Sequence, residues 1–338
     1  MLRLSAIGDT CHVIPLLRAM QGAWPQTRFT WVIGRTEARL MNLVPDVEFI
    51  TVDKRAGWRS WGELRRAVRG RNFDVLLHLQ SSLRASIYAA MIPAHLKLGF
   101  DRARARELQW LFTDRQIAAR PDEHVLDGML GFATALGITP TELDWSLPLP
   151  AEAIRYAKQC IPDDAAPTLV ISPCSSHPLR NWRADRYAEV AHYAIDRYGM
   201  RVVLVGGRSA IERDMAATIH AACQKSLNTV GRDTLPELLA VLSRAHVLLT
   251  PDSGPAHMAT ITNTPVIGLY AATRSARSGP YRSRQWCVDV YDEAALRFRR
   301  RPASALPWAE KIEEPGVMDL ITTESVCARL DALMARSW

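Results

Sequence analysis

Residues 247–257 read VLLTPDSGPAH, an apolar run of strand length followed at once by the opening turn of a helix. The VLLT segment is typical of a buried strand, and Pro255 suits the first position of a helix that we place over residues 255–260. Outward from this stretch, short apolar runs alternate with amphipathic segments of helical length along most of the chain. This alternation is typical of parallel sheets covered by helices, so the sequence predicts an α/β fold of doubly wound, Rossmann-like units.

The predicted elements fall into two groups, separated by a proline-rich passage near residue 150. The first group has strands at 1–7, 28–33, 49–52, 74–80 and 97–99, and helices at 12–22, 37–44, 58–69 and 83–91. The second has strands at 168–172, 201–205, 227–230, 247–250 and 266–270, and helices at 151–159, 184–198, 211–222, 235–244 and 255–260. We therefore expect a first domain over 1–150, a second over 151–322 and a C-terminal helix over 323–338. Two such domains facing one another would leave a central cleft at the carboxyl ends of their strands.

Composition excludes several classes of protein. The 338 residues are 48% apolar and 23% charged, the balance of a soluble globular chain rather than a disordered one. No run of about 18 uncharged apolar residues is present, and the first residues lack the layout of a secretory signal, so we expect a cytoplasmic protein. The six cysteines are scattered without metal-ligand spacing, and we expect them to be reduced.

The charge balance favours an anionic partner. Lys and Arg number 42 against 35 Asp and Glu, a net charge of +7, and only five of the 42 are lysines. The planar guanidinium group of arginine matches the geometry of phosphate and carboxylate groups. A GC-rich genome would also encode arginine at many solvent-exposed positions, without any anionic partner. Nucleic acid is disfavoured because the arginines are spread over both halves, aromatic residues make up only 7% of the chain, and no nucleic-acid-binding motif is present.

The segment SAIGDT, residues 5–10, ends the first predicted strand. A glycine at a strand-to-helix turn lets the backbone approach a ligand, and Asp9 beside it would be placed to take a proton from a sugar hydroxyl. Asp9 would equally serve as a cap for the following helix. The segment is not a dinucleotide fingerprint, because GxGxxG is absent.

In residues 250–257, small and polar residues open a helix directly after a strand. Exposed N–H groups at a helix start suit a diphosphate, and His257 in the first turn would donate to a phosphate oxygen. An ordinary helix cap with a buried histidine is the alternative. Two weaker segments are SPCSSHPLRNW at 172–182, with hydroxyls and Arg180, and VGGR at 205–208, where Glu212 would hold ribose hydroxyls.

Four segments together resemble the ADP-heptose:lipopolysaccharide heptosyltransferases, glycosyltransferase family 9. They are LSAIGDTCHVIPLLRAM at 4–20, FTWVIG at 29–34, LTPDSGPAHMA at 249–259 and ITTESVCARLDAL at 321–333. The resemblance implies a GT-B fold: two Rossmann-like domains facing a central cleft, with the acceptor bound by the first domain and the nucleotide sugar by the second. It also implies a last helix that crosses back.

The resemblance implies a role for each matching residue. Asp9 resembles the catalytic base of an inverting transfer. The donor contacts implied are Ser175, Ser176 and Arg180 to phosphate, Glu212 to ribose, Asp233 to adenine through its backbone, and Asp252, Ser253, Gly254 and His257 to sugar and diphosphate. No metal and no cofactor are expected, because cationic groups and a helix N-terminus would stabilise the departing diphosphate.

For the acceptor, we expect Gly8, Thr10, Gln80, Arg84 and Arg106 to contribute, with arginines suited to the acidic Kdo sugar and to lipid A phosphates. Each arginine taken singly would also fit a solvated surface. Trp58 and Trp61 would lie against lipid or sugar, but packing of the helix face is the simpler expectation. The basic run RFRRR at 297–301 would touch anionic headgroups.

The sequence thus predicts a heptosyltransferase of the first-heptose type, moving L-glycero-D-manno-heptose from ADP-heptose to Kdo-lipid A at the inner face of the inner membrane. A relative with another acceptor or nucleotide sugar, and a polyanion-binding α/β protein, are the alternatives. The chain departs from the family pattern in three places. Many members have lysine where Arg180 stands, the family's Gly-Pro-Thr is AAT at 271–273, and the first strand is short, so we expect the natural chain to begin upstream of Met1.

Overall fold

A computed structural model describes residues 1–164 and 166–336. Contacts between Cα atoms divide the chain into two units, Met1–Pro148 and Leu149–Trp338. This division falls two residues before the domain boundary expected at 150. Among the described residues, no helix is both long enough and apolar enough to cross a membrane.

The first unit contains six α-helices and five strands in the part of it that the structure describes. The helices are α1 (Ile7–Cys11), α2 (Val13–Ala23), α3 (Arg35–Met41), α4 (Trp58–Ala67), α5 (Leu83–Met91) and α6 (Val125–Ala135). The strands are β1 (Phe29–Gly34), β2 (Val47–Val52), β3 (Phe73–Leu77), β4 (Ala94–Gly99) and β5 (Arg115–Gln116), and a 3-10 helix spans Gln109–Phe112.

The start of the chain joins the strands of this unit. Leu2 forms parallel bridges to Val32 of β1 and to His78, which follows β3. Its N–H donates to the Leu77 carbonyl at 2.9 Å, and its own carbonyl accepts from the Leu79 N–H at 3.0 Å. The resulting parallel order is β2, β1, the Leu2 segment, β3, β4 and β5.

The predicted first strand is too long. Instead of continuing to residue 7, the chain leaves the sheet because the N–H groups of Leu4 and Ser5 both donate to the Gln80 side chain, at 2.7 and 3.3 Å. Helix α1 then begins at Ile7. The side chains of this short segment still alternate, with Leu2 and Leu4 fully buried in the unit.

Helix α6 and strand β5 were not expected from the sequence. Helix α6 carries Leu126, Met129 and Phe132 at intervals of three residues, and all three are buried. This spacing is typical of a helix. It lies within a long turn-rich passage where the sequence predicted no neighbouring strand, so no helix was predicted there. Strand β5 has only two residues, too few for a periodic pattern.

The second unit repeats the alternation of helix and strand. Its helices are α7 (Ala151–Cys160), α8 (Ala184–Tyr198), α9 (Ala210–Ala222), α10 (Leu235–Arg244), α11 (Gly254–Ile261), α12 (Ser275–Ser278), α13 (Tyr291–Ala294) and α14 (Thr323–Met334). Its strands are β6 (Thr168–Ile171), β7 (Arg201–Leu204), β8 (Leu227–Asn228), β9 (Val247–Pro251), β10 (Val266–Tyr270) and β11 (Val288–Asp289). Short helical turns of other types lie at Pro178–Arg180, Arg284–Trp286, Ala295–Arg299, Ala303–Ala305 and Val317–Leu320.

The six strands of the second unit pair in parallel, in the order β11, β10, β9, β6, β7, β8. The chain therefore moves outward in both directions from β6, which is the doubly wound topology predicted from the sequence. All residues of β6, β9 and β10 are buried. Strands buried on both faces explain why these segments are continuous apolar runs.

The C-terminal helix expected over 323–338 is α14, and it packs within the second unit on α8. Tyr193 and Tyr198 of α8 donate their hydroxyls to the Asp331 carboxylate at 2.8 and 2.7 Å. Val326 and Leu330 lie in the core of the same unit. The last two residues of the predicted range, 337 and 338, lie outside the described residues.

Trp182 tests the core of the second unit. Its ring is buried, and its indole N–H donates to the Ile321 carbonyl at 3.0 Å. We expect Trp182→Ala to lower the free energy of unfolding by about 3–5 kcal/mol, because it leaves a cavity and removes one hydrogen bond to the Ile321 carbonyl. Urea denaturation followed by circular dichroism measures this change. Trp58→Ala is the matched control, since Trp58 is 75% exposed and its loss is expected to cost under about 0.5 kcal/mol.

Candidate active site

Asp9 lies in the first turn of α1, immediately after the short first strand. Its Oδ2 atom is 2.5 Å from Nη2 of Arg3 and accepts a hydrogen bond from the Ala6 N–H at 3.2 Å. The Asp9 side chain is 36% exposed, whereas that of Arg3 is 11% exposed. The carboxylate therefore contacts the helix start, as the capping alternative requires, and is also accessible, as a base must be.

Arg3 was not singled out from the sequence. Its second guanidinium nitrogen donates to the Leu79 carbonyl at 2.5 Å, and its own carbonyl accepts from the Trp31 indole at 3.2 Å. Arg3 is thus fixed to the neighbouring strand segments and holds the Asp9 carboxylate through the ion pair. The signal in the sequence that could have identified Arg3 is a charged residue between two leucines, which are both buried.

Gln80 fixes the same turn from the other side. Besides accepting from Leu4 and Ser5, its amide nitrogen lies 3.4 Å from the Ser5 and Ser82 hydroxyls. The structure therefore gives Gln80 a positioning role for the segment that leads to Asp9. A contact with acceptor remains a prediction for this residue.

A buried ion pair supports the turn at its outer side. Lys54 Nζ lies 2.8 Å from Glu37 Oε1 and donates to the Leu4 carbonyl at 3.3 Å. The backbone passes close by at Gly34, where a Cβ would clash with both the Leu4 carbonyl and the Glu37 carboxylate. Because Lys54 is engaged here, the structure assigns it to holding this edge of the sheet.

The remaining predicted acceptor residues occupy different environments. Gly8 is buried, and Thr10 is fully buried with its hydroxyl donating to the Ile7 carbonyl at 2.7 Å, which is a structural contact within α1. Arg84 and Arg106 are exposed. The Leu83 N–H donates to the carboxylate of Glu107 at 2.6 Å, so the loop that carries Arg106 lies against the start of α5, beside Arg84.

In the second unit, the segment predicted to seat a diphosphate joins β9 to α11. Ser253 precedes the helix in extended conformation, and its hydroxyl lies 2.8 Å from that of Thr250. Gly254 is the first residue of α11, and His257 is buried in the first turn. A contact of the N–H groups of this turn and of His257 with phosphate remains a prediction.

Arg180 contacts this segment and a second one far along the chain. Its Nη1 lies 3.5 Å from Asp252 Oδ2, while Nε and Nη2 both donate to Glu313 Oε1, at 2.8 and 2.6 Å. The Ser278 hydroxyl also reaches Asp252 Oδ2, at 3.4 Å. Sequence reasoning identified Arg180 and Asp252 but missed Glu313, since 133 residues separate it from Arg180.

The segment 311–313 is fixed by its middle residue. Ile312 is buried, and its N–H donates to the Ala272 carbonyl after β10 at 2.8 Å. Burial alone would raise the pKa of Glu313, but the hydrogen bond and charge of Arg180 outweigh it and the pKa is lowered. Burial and the charge of Arg180 lower the pKa of Lys311. Two cations and two carboxylates therefore share this corner of the unit.

Ser175 and Ser176 lie on the loop after β6. The Ser175 N–H donates to the Asn181 side chain at 2.7 Å, and its hydroxyl donates to the His177 carbonyl at 2.9 Å, so the loop is an ordered turn. Ser176 is exposed on it. Contacts of these hydroxyls with phosphate remain predictions.

Glu212 closes the loop after β7. Its carboxylate accepts from the Gly207 N–H at 2.7 Å and from the Ser209 hydroxyl at 2.6 Å. In return the Ser209 hydroxyl accepts from the Glu212 N–H, which is a capping box at the start of α9. A Cβ on Gly207 would lie 2.9 Å from this carboxylate, so a larger residue would push the Glu212 side chain aside. The ribose contact remains a prediction.

Asp233 follows β8, and its side chain is more unusual than its predicted backbone contact. Within the described chain, its Oδ2 atom is buried without a hydrogen-bond partner. Burial, with Glu237 and Glu212 adding repulsion, raises the pKa of Asp233 to about 7. Burial raises the pKa of Tyr156 on α7, and the Asp233 carboxylate adds to the rise.

A cavity of about 510 Å³ opens at the opposite edge of the first unit, at the amino end of β1. Its lining includes Arg18, Trp24, Phe29, Glu142 and Asp144. Asp9 lies beyond the other end of the sheet, so this cavity is separate from the predicted site. In residues 1–164 and 166–336, no group of three or more His, Cys, Asp or Glu side chains is arranged to hold a metal ion.

The two parallel α/β units, with an accessible carboxylate after one strand segment and an arginine beside a helix start after another, fit the class of nucleotide-sugar-dependent glycosyltransferases. The profile of glycosyltransferase family 9 (heptosyltransferase) matches residues 61–309. The chain is 38% identical to the lipopolysaccharide core heptosyltransferase OpsX of Haemophilus influenzae, over 98% of this chain and 95% of that one. The chain belongs to glycosyltransferase family 9 and is an enzyme of that family.

Solved structures agree on the fold. A family 9 glycosyltransferase from Veillonella parvula superposes with a TM-score of 0.80 at 22% identity, covering 99% of this chain and 96% of that one. The E. coli heptosyltransferase WaaC, solved with ADP, superposes with a TM-score of 0.76 at 21% identity, covering 98% of each chain. The predicted GT-B fold class is confirmed.

The environment of Asp233 predicts a pH-dependent stability. In the unfolded chain an aspartate ionises near pH ~3.9, whereas in the fold it retains its proton up to about pH 7. Between these values the folded state binds more protons, so burial of Asp233 costs stability progressively as pH rises through this window. We expect Asp233→Asn to raise the melting temperature at about pH 8 and to change it much less at about pH 4.5.

Differential scanning fluorimetry across this pH range measures the effect. Asp163→Asn is the control, because Lys158 and Arg244 lower the pKa of Asp163 and its neutralisation cannot stabilise the fold at high pH. An increase in the melting temperature of Asp233→Asn that is equal at about pH 8 and at about pH 4.5 would contradict the raised pKa of Asp233.

Proposed function

We propose that this enzyme transfers L-glycero-D-manno-heptose from ADP-heptose to the Kdo sugar of the lipopolysaccharide inner core, with inversion at the anomeric carbon. The observation that carries the proposal is the accessible Asp9 carboxylate, oriented by Arg3 and by the Ala6 N–H at the end of the first strand. The relative at 38% identity supports a core heptosyltransferase, and the WaaC structure with ADP supports an adenine nucleotide donor.

In this reaction Asp9 accepts the proton of the attacking Kdo hydroxyl. The hydroxyl oxygen forms the new bond to the anomeric carbon while the bond from that carbon to the phosphate oxygen breaks, and ADP departs with the electron pair. Arg3 keeps Oδ2 of Asp9 in one position, which favours a carboxylate already aligned for proton transfer.

Negative charge develops on the diphosphate as the bond breaks. Arg180, His257 and the N–H groups at the start of α11 would stabilise that charge in the second unit. Arg180 is oriented by Asp252 and Glu313, so its guanidinium does not have to be ordered by the substrate. Ser175, Ser176, Ser253 and Gly254 would add hydroxyl and backbone contacts to phosphate and sugar, Glu212 would contact the ribose, and the Asp233 backbone the adenine.

The acceptor would bind to the first unit. Arg84 at the start of α5 and Arg106 on the loop that contacts it are both exposed, and they would pair with the carboxylate of Kdo or with lipid A phosphates. The lipid-linked acceptor places the enzyme at the inner face of the inner membrane. In the basic run at 297–301, Arg299 is paired with Glu310 and Glu314, whereas Arg297, Arg300 and Arg301 are exposed and would contact headgroups.

Asp9→Asn tests the assignment of the base. The amide keeps an acceptor for the Ala6 N–H but cannot take a proton, so we expect kcat to fall by about 10²–10⁴-fold. Binding of ADP, measured by calorimetry, should be unchanged because the donor residues lie in the second unit. Transfer is measured as ADP release with Kdo-lipid A.

Asp53→Asn provides the matched control. Asp53 lies just after β2 at the same edge of the sheet, is comparably exposed and is also paired with an arginine, Arg35, at 3.2 Å. The kcat of Asp53→Asn should stay near that of the wild type. Near wild-type transfer by Asp9→Asn would refute the base assignment, and equal losses in both variants would indicate a general effect of charge.

The reaction is also proposed to need no metal ion, since cationic side chains and a helix start are available for the diphosphate. We expect turnover to be unchanged after dialysis against EDTA and in its continued presence. An accompanying melting curve separates effects on folding from effects on chemistry. Loss of turnover that Mg²⁺ or Mn²⁺ restores would overturn this part of the proposal.

A further inference from the structure

The loop after β4 is held rigidly in the first unit. Gln109 is fully buried, donates to the His78 carbonyl at 2.8 Å and accepts from the Phe100 N–H at 3.2 Å. The Ser81 hydroxyl donates to the carbonyl of Arg104 in the same loop at 3.1 Å. The polar groups of the loop are therefore bonded inward, which fixes what it presents outward.

This fixed loop presents leucines to the surface. Leu108 and Leu111 are 53% and 59% exposed and lie three residues apart in one helical turn, on one side of it. Glu107 and Leu108 both have positive φ values, 49° and 60°, a left-handed conformation that costs energy for residues other than glycine. Leu83 is also exposed and adjoins them, because its N–H binds Glu107.

Arginines surround these leucines. Arg84 follows Leu83, Arg106 precedes Glu107, and Arg102 stacks at 4.0 Å on the ring of Trp110 within the same loop. All three are exposed. These three arginines outnumber the Glu107 carboxylate, which accepts from the Leu83 N–H, so the net charge of these four side chains is positive.

Helix α4 adds two aromatic side chains at the same edge of the sheet. Trp58 is 75% exposed and Trp61 is also exposed, contrary to the expectation that they pack against the unit. Arg59 lies 6.0 Å above the Trp58 ring. Helix α4, helix α5 and the leucine loop follow β2, β3 and β4, and parallel strands end at one edge, which is also the edge that carries Asp9.

We propose that Leu83, Leu108 and Leu111, together with Trp58 and Trp61, form a bilayer-docking surface that inserts into the interface of an anionic phospholipid membrane. Leucine and tryptophan side chains insert at the level of the headgroups, and the surrounding arginines pair with lipid phosphates. A single exposed leucine needs no explanation, but five large apolar side chains on the first turns of α4 and α5 and on the loop after β4, with an arginine border, match an interfacial anchor.

The second unit offers a weaker alternative. Leu296 is 58% exposed beside Arg297, but Arg299 of the same segment is neutralised by Glu310 and Glu314. The docking surface of the first unit has more apolar side chains and no such pairing of its three arginines among the described contacts. Docking through it does not depend on which sugar is transferred, and it rests on the proposed function only in that it would bring Asp9 to a lipid-linked acceptor.

Vesicle co-sedimentation tests the proposal with the full chain. Vesicles of phosphatidylethanolamine and phosphatidylglycerol should bind the wild type, and vesicles of phosphatidylcholine alone should bind it much more weakly. We expect the double variant L108S/L111S to bind the anionic vesicles about tenfold more weakly. Ile154→Ser, at an exposed position of the second unit, is the matched control and should bind like the wild type.

Other outcomes would overturn the proposal. Unchanged vesicle binding by L108S/L111S, or an equal loss in Leu296→Ser, would place the contact elsewhere. Concentration-dependent dimerisation of the wild type that L108S/L111S abolishes, without a change in vesicle binding, would make the surface a contact between two copies of the chain. The melting temperature of each variant is measured as well, and a value near that of the wild type excludes misfolding.

An activity measurement separates this proposal from the proposed function. With a deacylated, water-soluble Kdo acceptor, L108S/L111S should match the wild type in kcat/KM, and with acceptor embedded in vesicles it should fall by about the factor lost in binding. Absence of transfer by the wild type would refute the proposed function, while the vesicle-binding results would still decide the docking surface.

Discussion

Because the strands of both sheets pair in parallel, each strand is joined to the next by a crossover connection, and the carboxyl ends of all strands in a sheet lie at the same edge. Side chains far apart in sequence are thereby collected along one line. Asp9, Lys54 and Gln80 follow three different strand segments of the first unit yet converge on the backbone of residues 4–6. In the second unit, Arg180 and Asp252 meet after β6 and β9 for the same reason.

The arginine excess of the sequence divides into two groups with different physical roles. Arg3, Arg104 and Arg180 are mostly buried and paired with carboxylates, where each orients a functional or structural acid. Their charges are compensated within the fold. A second group, which includes Arg59, Arg84, Arg102 and Arg106, is exposed at the carboxyl edge of the first unit. This second group is the exposed positive charge at that edge of the first unit, and it is available to an anionic partner.

The same edge of the first unit combines polar chemistry with exposed apolar surface. A soluble acceptor would require only the polar groups, whereas an acceptor anchored by acyl chains must be reached at a membrane surface. Leu108 and Leu111 are held outward by a loop whose polar atoms are bonded to the buried Gln109, so their exposure is built into the packing. The catalytic carboxylate and the bilayer-docking surface would therefore both be held by the same rigid unit.

The sequence by itself determined most of the elements and the family. Helices at 83–91, 184–198 and 235–244 and the strand at 266–270 have the predicted limits, because apolar periodicity and capping residues are local signals. The tertiary structure alone decided where the first strand ends, that Glu313 holds Arg180, that Trp58 is exposed and that Arg3 holds Asp9. These features depend on contacts between segments up to 133 residues apart, and no pattern confined to neighbouring residues encodes which segments meet.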